Sequence, residues 1–198
     1  MRIERLGGLG TAGDVLCALA AAARSRGLPP PAAFVGDWFG SAAVIAPSVA
    51  IAPTDPADVF AVAPGERTDA VGGGWIGYLS YPDPAADGRG PRIPEAAGGW
   101  TDCVLRLDTD GCWWHESLSG ATVQSWVAIA MASQVPREVC EIDWAEPDFA
   151  AHQAGVLDCL AAIASGECYQ ACVCTQFTGT VTGSPVDFFA DAVTRTAP

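Results

Sequence analysis

An antiparallel hairpin is predicted by Cys103-Val-Leu-Arg-Leu-Asp-Thr-Asp-Gly-Cys-Trp-Trp-His-Glu116. Its centre, Asp108-Thr-Asp-Gly111, places an Asp-Gly pair where a tight turn needs positive φ, and the two flanking runs then form facing strands. Because successive strand residues point to opposite faces, one of Trp113 and Trp114 is expected inward and the other outward. This stretch is the starting point for the fold.

Two further strands are predicted on the amino-terminal side of this hairpin. The first contains Phe34 and Val35, and the second carries the β-branched residues around Val44 to Ile51. Residues 36–41 separate them, which favours another antiparallel pair. The segments 53–65 and 82–99 are rich in Pro, Gly, Asp or Ala and are expected to be loops.

Three helices are indicated by capping signals and by apolar spacing. Thr11 and Asp14 form a capping-box pattern that opens an alanine-rich helix. Asp148 is a plausible N-cap for an amphipathic helix that ends near 165–166, and Ser184-Pro185 opens a third. A strand over about 169–180 is expected between the last two. The apolar face of the middle helix is predicted to contain Phe149, Val156, Leu157, Leu160 and Ile163.

The helix and strand signals do not alternate as βαβ units, so we predict an α+β fold. Its expected architecture is two packed, mostly antiparallel β-sheets with flanking helices.

Charge and composition exclude several classes of protein. The 198 residues have a formal net charge of -13, and all ten basic residues are scattered arginines, which disfavours a nucleic-acid partner. The uncharged stretch 117–136 contains too many Ser, Thr, Gln and Gly residues for a membrane span. Eight cysteines in a chain with long apolar periodic segments fit free thiols, and we expect a cytoplasmic protein.

The segment Ile163-Ala-Ser-Gly-Glu-Cys-Tyr-Gln-Ala-Cys-Val-Cys-Thr-Gln-Phe177 resembles the helix-to-strand passage of the chorismate-binding enzyme family. The residues that fit the family pattern are Gly166, Glu167, Tyr169, Gln170, Gln176 and Phe177. The stretch 72–81, Gly-Gly-Gly-Trp-Ile-Gly-Tyr-Leu-Ser-Tyr, and the stretch 195–198 resemble other family segments in the expected order. The resemblance implies an amino-terminal region over 1–147 and the start of a chorismate-binding region over 148–198.

Gln170 occupies an informative position within this resemblance. Family members that add water to chorismate present a lysine there, and a lysine with a lowered pKa can act as a general base. A glutamine side chain cannot accept a proton from water at neutral pH. The resemblance therefore implies that the nucleophile is ammonia and that Gln170 lies on the nucleophile side of the site. The alternative is that Gln170 satisfies backbone groups within a sheet. Ala171 and Cys172 depart from the common family residues.

Two branches of the family use ammonia, and the residues favour one of them. Anthranilate synthases carry a Leu-Leu-Glu-Ser motif near their first strands, whereas the equivalent stretch here is Phe34-Val-Gly-Asp-Trp-Phe39. The chain therefore resembles the aminodeoxychorismate synthases of folate synthesis more closely, and an anthranilate synthase is the alternative. Asp37 and Trp38 are candidates for an effector pocket; a simple turn is the other interpretation.

The resemblance implies an enzyme that replaces a hydroxyl of chorismate by an amino group. Mg²⁺ would hold the substrate carboxylate, and a glutamine amidotransferase would deliver ammonia. In relatives the metal-binding glutamates lie beyond the position equivalent to Pro198, so no metal ligand is assigned and this chain alone is not expected to be a complete catalyst. A non-catalytic truncated product is a further alternative. Strand edges and apolar faces left uncovered predict self-association.

The remaining reactive residues have simpler interpretations. Cys168, Cys172 and Cys174 lack the paired spacing of zinc sites and are expected to be small buried thiols. His115 and His152 have no second ligand or nucleophile at a recognised spacing, so surface or capping roles are expected.

Overall fold

The computed structural model describes residues 1–59, 70–80, 93–175 and 177–196. They form two compact units. Unit 1 contains Met1–Arg137 together with the segment from Val186 onward, and unit 2 contains Glu138–Pro185. The predicted boundary between 147 and 148 falls inside unit 2 and stays a prediction.

Unit 1 is built around a five-stranded antiparallel sheet. The predicted hairpin lies at its middle and is confirmed: the Asp108 carboxylate accepts the backbone N–H groups of Asp110 and Cys112 at 3.0 and 2.8 Å, and Gly111 has φ 79°. The sheet order is β1-β8-β7-β3-β2. The strands are β1 Arg2–Gly7, β2 Ala32–Trp38, β3 Ser41–Ala46, β7 Cys103–Leu107 and β8 Trp113–Ser117.

Two helices cover one face of this sheet. They are α1, Ala12–Ser25, and α2, Ser125–Met131. The capping box at the start of α1 is confirmed, because Thr11 Oγ1 accepts the Asp14 N–H and the Asp14 carboxylate accepts the Thr11 N–H. The core between helices and sheet contains Val15, Leu16, Leu19, Ile45, Leu105, Trp113, Val127, Ala130 and Met131.

A three-stranded antiparallel sheet lies against part of the opposite face. Its order is β4-β6-β5, with β4 Ala52–Pro53, β5 Gly74–Leu79 and β6 Ala96–Thr101. Ile76 packs against Ala46 and Val49 in a second, smaller core. The Trp75 ring occupies the space where a Cβ of Gly77 or Gly98 would lie, so these paired positions require glycine.

Unit 2 contains a two-stranded antiparallel sheet and one long helix. Strand β9, Glu141–Ala145, pairs with β10, Thr178–Thr182, and α3 is Phe149–Ser165. The start and end predicted for α3 are confirmed: the Asp148 carboxylate accepts the Ala151 N–H at 2.8 Å, and Gly166 has φ 81°. The last helix, α4, is Pro185–Thr196, as Ser184-Pro185 predicted, and Val186 packs against the larger core of unit 1.

The described residues thus form an α+β protein, with four helices and three open antiparallel sheets. The α+β prediction is confirmed, and the sheets number three where two were expected. The strand predicted over 169–180 begins later, at Thr178. Ala96–Gly99, predicted to be loop, belongs to β6, because glycines and alanines are required where sheets and rings approach closely. Residues 60–65 and 82–92 of the predicted loops lie outside the described residues.

Candidate functional site

Gln170 lies on the surface of unit 2, five residues after α3 ends. The left-handed conformation of Gly166 stops the helix, and the N–H groups of Gly166 and Glu167 donate to Ile163 and Ala162. The next residues have no regular secondary structure, and Gln170 is exposed. Gln170 makes no hydrogen bond with a described residue, so the interpretation that it satisfies sheet backbone is not met here. Its amide group is open to a ligand.

The cysteines after α3 do not lie where the sequence suggested. Cys172 and Cys174 are exposed, and Cys168 is half-buried, so the expectation of buried thiols was wrong for this segment. The Sγ atoms of Cys172 and Cys174 are 3.6 Å apart, and the hydrogen bond between them raises the pKa of Cys174. No described residue of unit 2 is buried, so this part of the chain offers these thiols no core.

Asp37 and Trp38 lie at the end of β2, beside a two-residue turn to β3. Trp38 pairs with Ser41 in the sheet, and the turn residues Phe39 and Gly40 both have positive φ, at 56° and 68°. The Trp38 ring packs on Phe34 with 4.6 Å between ring centroids. Trp38 is partly exposed, and the exposed Asp37 has no hydrogen bond or ion pair with a described residue. The structure therefore brings an aromatic pair and an unpaired carboxylate to this hairpin end.

A buried charge cluster lies on the face of the five-stranded sheet opposite α1 and α2, and the sequence did not predict it. Glu116 is fully buried; its Oε1 accepts from Arg106 Nε at 2.6 Å, and its Oε2 accepts the Gly72 N–H at 2.8 Å. The Arg106 guanidinium lies 5.7 Å from the centroid of the Trp114 ring. The register set by the Asp-Gly turn places Arg106 and Glu116 on the same face of the sheet, and this could have been predicted from the sequence. No local signal indicates that other residues cover that face.

This cluster explains part of the glycine run at 72–74. Gly72 has φ 66° while its N–H reaches Glu116, and a Cβ on Gly73 would collide with the backbone of Thr101 and Asp102. These glycines therefore have a structural role, which is to bring the chain close to β6, β7 and β8. Tyr81, at the end of the quoted motif, lies outside the described residues, as do Gln176, Ala197 and Pro198.

One of the two histidines, His115, departs from the expectation of surface or capping roles. His115 lies in β8, is 3% exposed, and its Nδ1 is buried with no hydrogen-bond partner among the described residues. Burial lowers the pKa of His115. The expectation was wrong for His115, because the spacing of catalytic motifs says nothing about which strand face is covered. His152 is half-buried on α3.

The tryptophan pair follows the prediction. Trp113 is fully buried, and its Nε1 donates to the Gly10 carbonyl at 3.0 Å. Trp114 points to the other face, where its Nε1 donates to the Asp108 carboxylate at 2.7 Å. This hydrogen bond is the main cause that lowers the pKa of Asp108.

The residues described here do not fit a magnesium site. Mg²⁺ requires several oxygen ligands in near-octahedral geometry. No group of three or more His, Cys, Asp or Glu side chains in the described ranges could hold a metal ion. Glu116 is already paired with Arg106 and is not available as a ligand.

No helix in the described part of the chain is long and apolar enough to cross a membrane. No protein-family model, curated protein or solved structure matches the chain.

Proposed function

We propose that this chain is the amino-terminal part of a cytoplasmic enzyme similar to aminodeoxychorismate synthase component I. Such an enzyme aminates chorismate to 4-amino-4-deoxychorismate, the precursor of para-aminobenzoate for folate synthesis. Ammonia would come from a glutamine amidotransferase subunit or domain, and Mg²⁺ would be held by residues outside this chain. The proposal rests on the sequence motifs at 72–81 and 163–177.

One structural observation supports this proposal most directly. Helix α3 ends at Gly166 and is followed by an exposed Gln170 whose amide makes no hydrogen bond with a described residue. A side chain that positions ammonia must be reachable from solvent or substrate, and it must not itself be a strong base. Gln170 meets both requirements.

The uncovered surface of unit 2 supports the same proposal. Large apolar side chains on α3 remain exposed, among them Leu157 at 60% and Leu160 at 56%. An amphipathic helix in a complete domain packs its apolar face against another element. Further polypeptide that covers α3 would complete the domain.

The test is chorismate amination with ammonia and Mg²⁺. The 198-residue chain is compared with a version extended through the reading frame that continues past Pro198. We expect 4-amino-4-deoxychorismate from the extended chain and none from the short one. Activity in neither form would favour a non-catalytic product, and anthranilate as the product would assign the chain to the anthranilate synthase branch.

Variants of the extended chain test the role of Gln170. Gln170→Lys is expected to lower amination at least about tenfold, since a cation replaces the neutral amide beside the nucleophile. Gln153→Lys, at an exposed position of α3, is the matched control and should leave the rate unchanged. Equal rates for both variants would remove Gln170 from the site.

A further inference from the structure

A cavity of about 200 Å³ opens on the helix-covered side of the five-stranded sheet in unit 1. None of its lining residues is Gln170, Asp37 or Trp38. Apolar side chains from the segment after α1 and from α2 form one wall, and strands β7 and β8 form the floor. Its lining includes Leu28, Cys103, His115, Gln124, Trp126 and Val127.

His115 lines this cavity, and because its Nδ1 is sealed from solvent, Nε2 is the nitrogen that can reach an occupant. Its side chain is almost completely buried, its Nδ1 has no partner, and no described residue makes a hydrogen bond to its Nε2. An occupant that hydrogen-bonds to Nε2 would use hydrogen-bonding capacity that no described residue uses.

Gln124 and Trp126 form an ordered edge of the cavity. Trp126 Nε1 donates to the Gln124 Oε1 at 2.6 Å, and the Arg26 guanidinium lies 5.8 Å from the centroid of the Trp126 ring. Both contacts hold the indole ring in place beside Val127 and Leu28. The Gln124 amide nitrogen makes no hydrogen bond with a described residue, so it can also donate to an occupant.

The lining is uncharged. Burial raises the pKa of the Cys103 thiol, which keeps it protonated, and burial lowers the pKa of His115, which keeps it neutral at pH 7. No lining residue supplies a counter-charge to an ion. The Arg26 guanidinium near the edge lies over the Trp126 ring and is not part of the lining. An ion would therefore lose hydration on entry without compensation from the lining. The chemistry of the walls thus selects uncharged molecules.

The volume limits the ligand to a small one. Drug-sized ligands occupy pockets of about 300–1,000 Å³, and an engineered cavity of about 150 Å³ holds benzene. A space of about 200 Å³ accommodates a single aromatic ring with a small substituent.

We propose that this cavity binds a small uncharged aromatic molecule, with its ring against Leu28, Trp126 and Val127 and a hydroxyl or amide substituent hydrogen-bonded to the imidazole of His115. The aromatic wall supplies affinity through burial, and the imidazole supplies orientation. This site is independent of the proposed amination activity.

The first test uses phenol as probe and the full 198-residue chain. The chain has two histidines, so ¹⁵N-histidine labelling gives two sets of imidazole signals. We expect phenol to shift the His115 signals saturably, with a dissociation constant in the millimolar range, on the order expected for so few atoms. Toluene, which lacks the hydroxyl, should bind about tenfold more weakly. Unsaturable shifts, equal shifts at His152, or equal affinity for both probes would overturn the proposal.

Variants separate the imidazole from the apolar wall. His115→Phe should remove the preference for phenol over toluene, whereas His152→Phe, which removes the half-buried imidazole on α3 whose Nδ1 likewise lacks a partner among the described residues, should preserve it. If His115→Phe does not fold, Leu28→Trp provides a second route, because Leu28 is 39% exposed and tolerates a larger side chain. That substitution narrows the cavity and should weaken phenol binding at least tenfold with an unchanged circular dichroism spectrum. If Leu28→Trp bound phenol as tightly as the wild type, the proposal that the ligand ring lies against Leu28 would be wrong.

Discussion

Unit 1 and unit 2 contain similar elements but differ in how they bury apolar side chains. Helix α1 of unit 1 buries Val15, Leu16 and Leu19 against the sheet. Helix α3 of unit 2 is longer and more apolar on average, yet none of its residues is buried. No described residue of unit 2 is buried at all. A well-capped helix can therefore form from local signals even where none of its residues is buried.

The apolar surface area that each unit removes from water determines how strongly burial stabilises that unit. Hydrophobic burial stabilises a fold by roughly 25 cal/mol per Å² removed from water, and a helix in water is marginal without tertiary packing. Unit 1 therefore has its own driving force for folding. Unit 2 depends on its helix caps and on the β9–β10 pair.

A matched pair of tryptophan truncations should give the largest difference between the units. Trp113→Ala removes a fully buried ring from the core of unit 1 and should destabilise the protein by about 3–5 kcal/mol. Trp144→Ala, at a ring that is 58% exposed in unit 2, should change stability by less than about 0.5 kcal/mol. Urea unfolding followed by circular dichroism measures both. A large loss in Trp144→Ala would mean that unit 2 has a core after all.

The buried charge cluster should give the next largest effect. Glu116→Gln leaves the Arg106 guanidinium without its counter-charge, and we expect a loss of about 3 kcal/mol in urea unfolding. Glu141→Gln, at an exposed position of β9, should change stability by less than about 0.5 kcal/mol. If Glu116→Gln were as mild as its control, Arg106 would have to be solvated instead of paired.

A smaller, pH-dependent effect is expected from His115. Its pKa is lowered in the folded protein, so below the ordinary value of about 6.5 the unfolded chain binds a proton more readily than the folded one. The stability that His115 contributes is present above about pH 6.5 and is lost as the pH falls toward the lowered pKa. Urea midpoints between pH 7.5 and 5.5 should therefore decline more in the wild type than in His115→Phe. Parallel declines would assign the pH dependence to other groups.

The uncovered face of α3 should appear as self-association. We expect the chain to elute from size-exclusion chromatography as multimers, because Leu157 and Leu160 leave apolar surface in water. The double substitution Leu157→Glu, Leu160→Glu should shift elution toward the monomer, whereas Gln153→Glu on the same helix should not. A sharp monomeric peak for the wild type would show that this face is not adhesive.

Alkylation rates of the cysteines should distinguish the two units in the wild-type protein, with no substitution that alters its stability. Cys172 and Cys174 of unit 2 are exposed, so iodoacetamide should modify them first. Cys17 of unit 1 is buried, and burial raises its pKa to about 12, which leaves almost no thiolate at pH 8. Mass spectrometry of peptides over time gives the order. Early modification of Cys17 would indicate that α1 opens readily.

Local signals predicted individual elements well. The hairpin at Asp108–Gly111, the capping box at Thr11 and the start and end of α3 each depend on residues a few positions apart, so they can be identified without knowing the rest of the fold. The strands β1, β4, β5, β6 and β9 and the helix α2 were missed, because their structure comes from pairing and packing more than from intrinsic preference.

The sequence predicted only part of the candidate site. The motifs drew attention to Gln170, Asp37 and Trp38, but neither motifs nor spacing indicated the buried Glu116 or the cavity beside His115. Those features depend on which face of β8 is covered by helices and which by the Gly72 segment. Such pairings join residues far apart in the chain.

By itself the sequence determined the α+β class, the turns and the helix ends, because caps and Asp-Gly turns act over a few residues. Only the tertiary structure decided which apolar faces are buried, since α1 buries apolar side chains against the sheet of unit 1 whereas no residue of α3 is buried. It likewise decided that Glu116 is paired with Arg106 and that His115 Nδ1 has no hydrogen-bond partner among the described residues. The reason is that burial and charge pairing are properties of assembled surfaces, and a linear pattern specifies them only through long-range contacts.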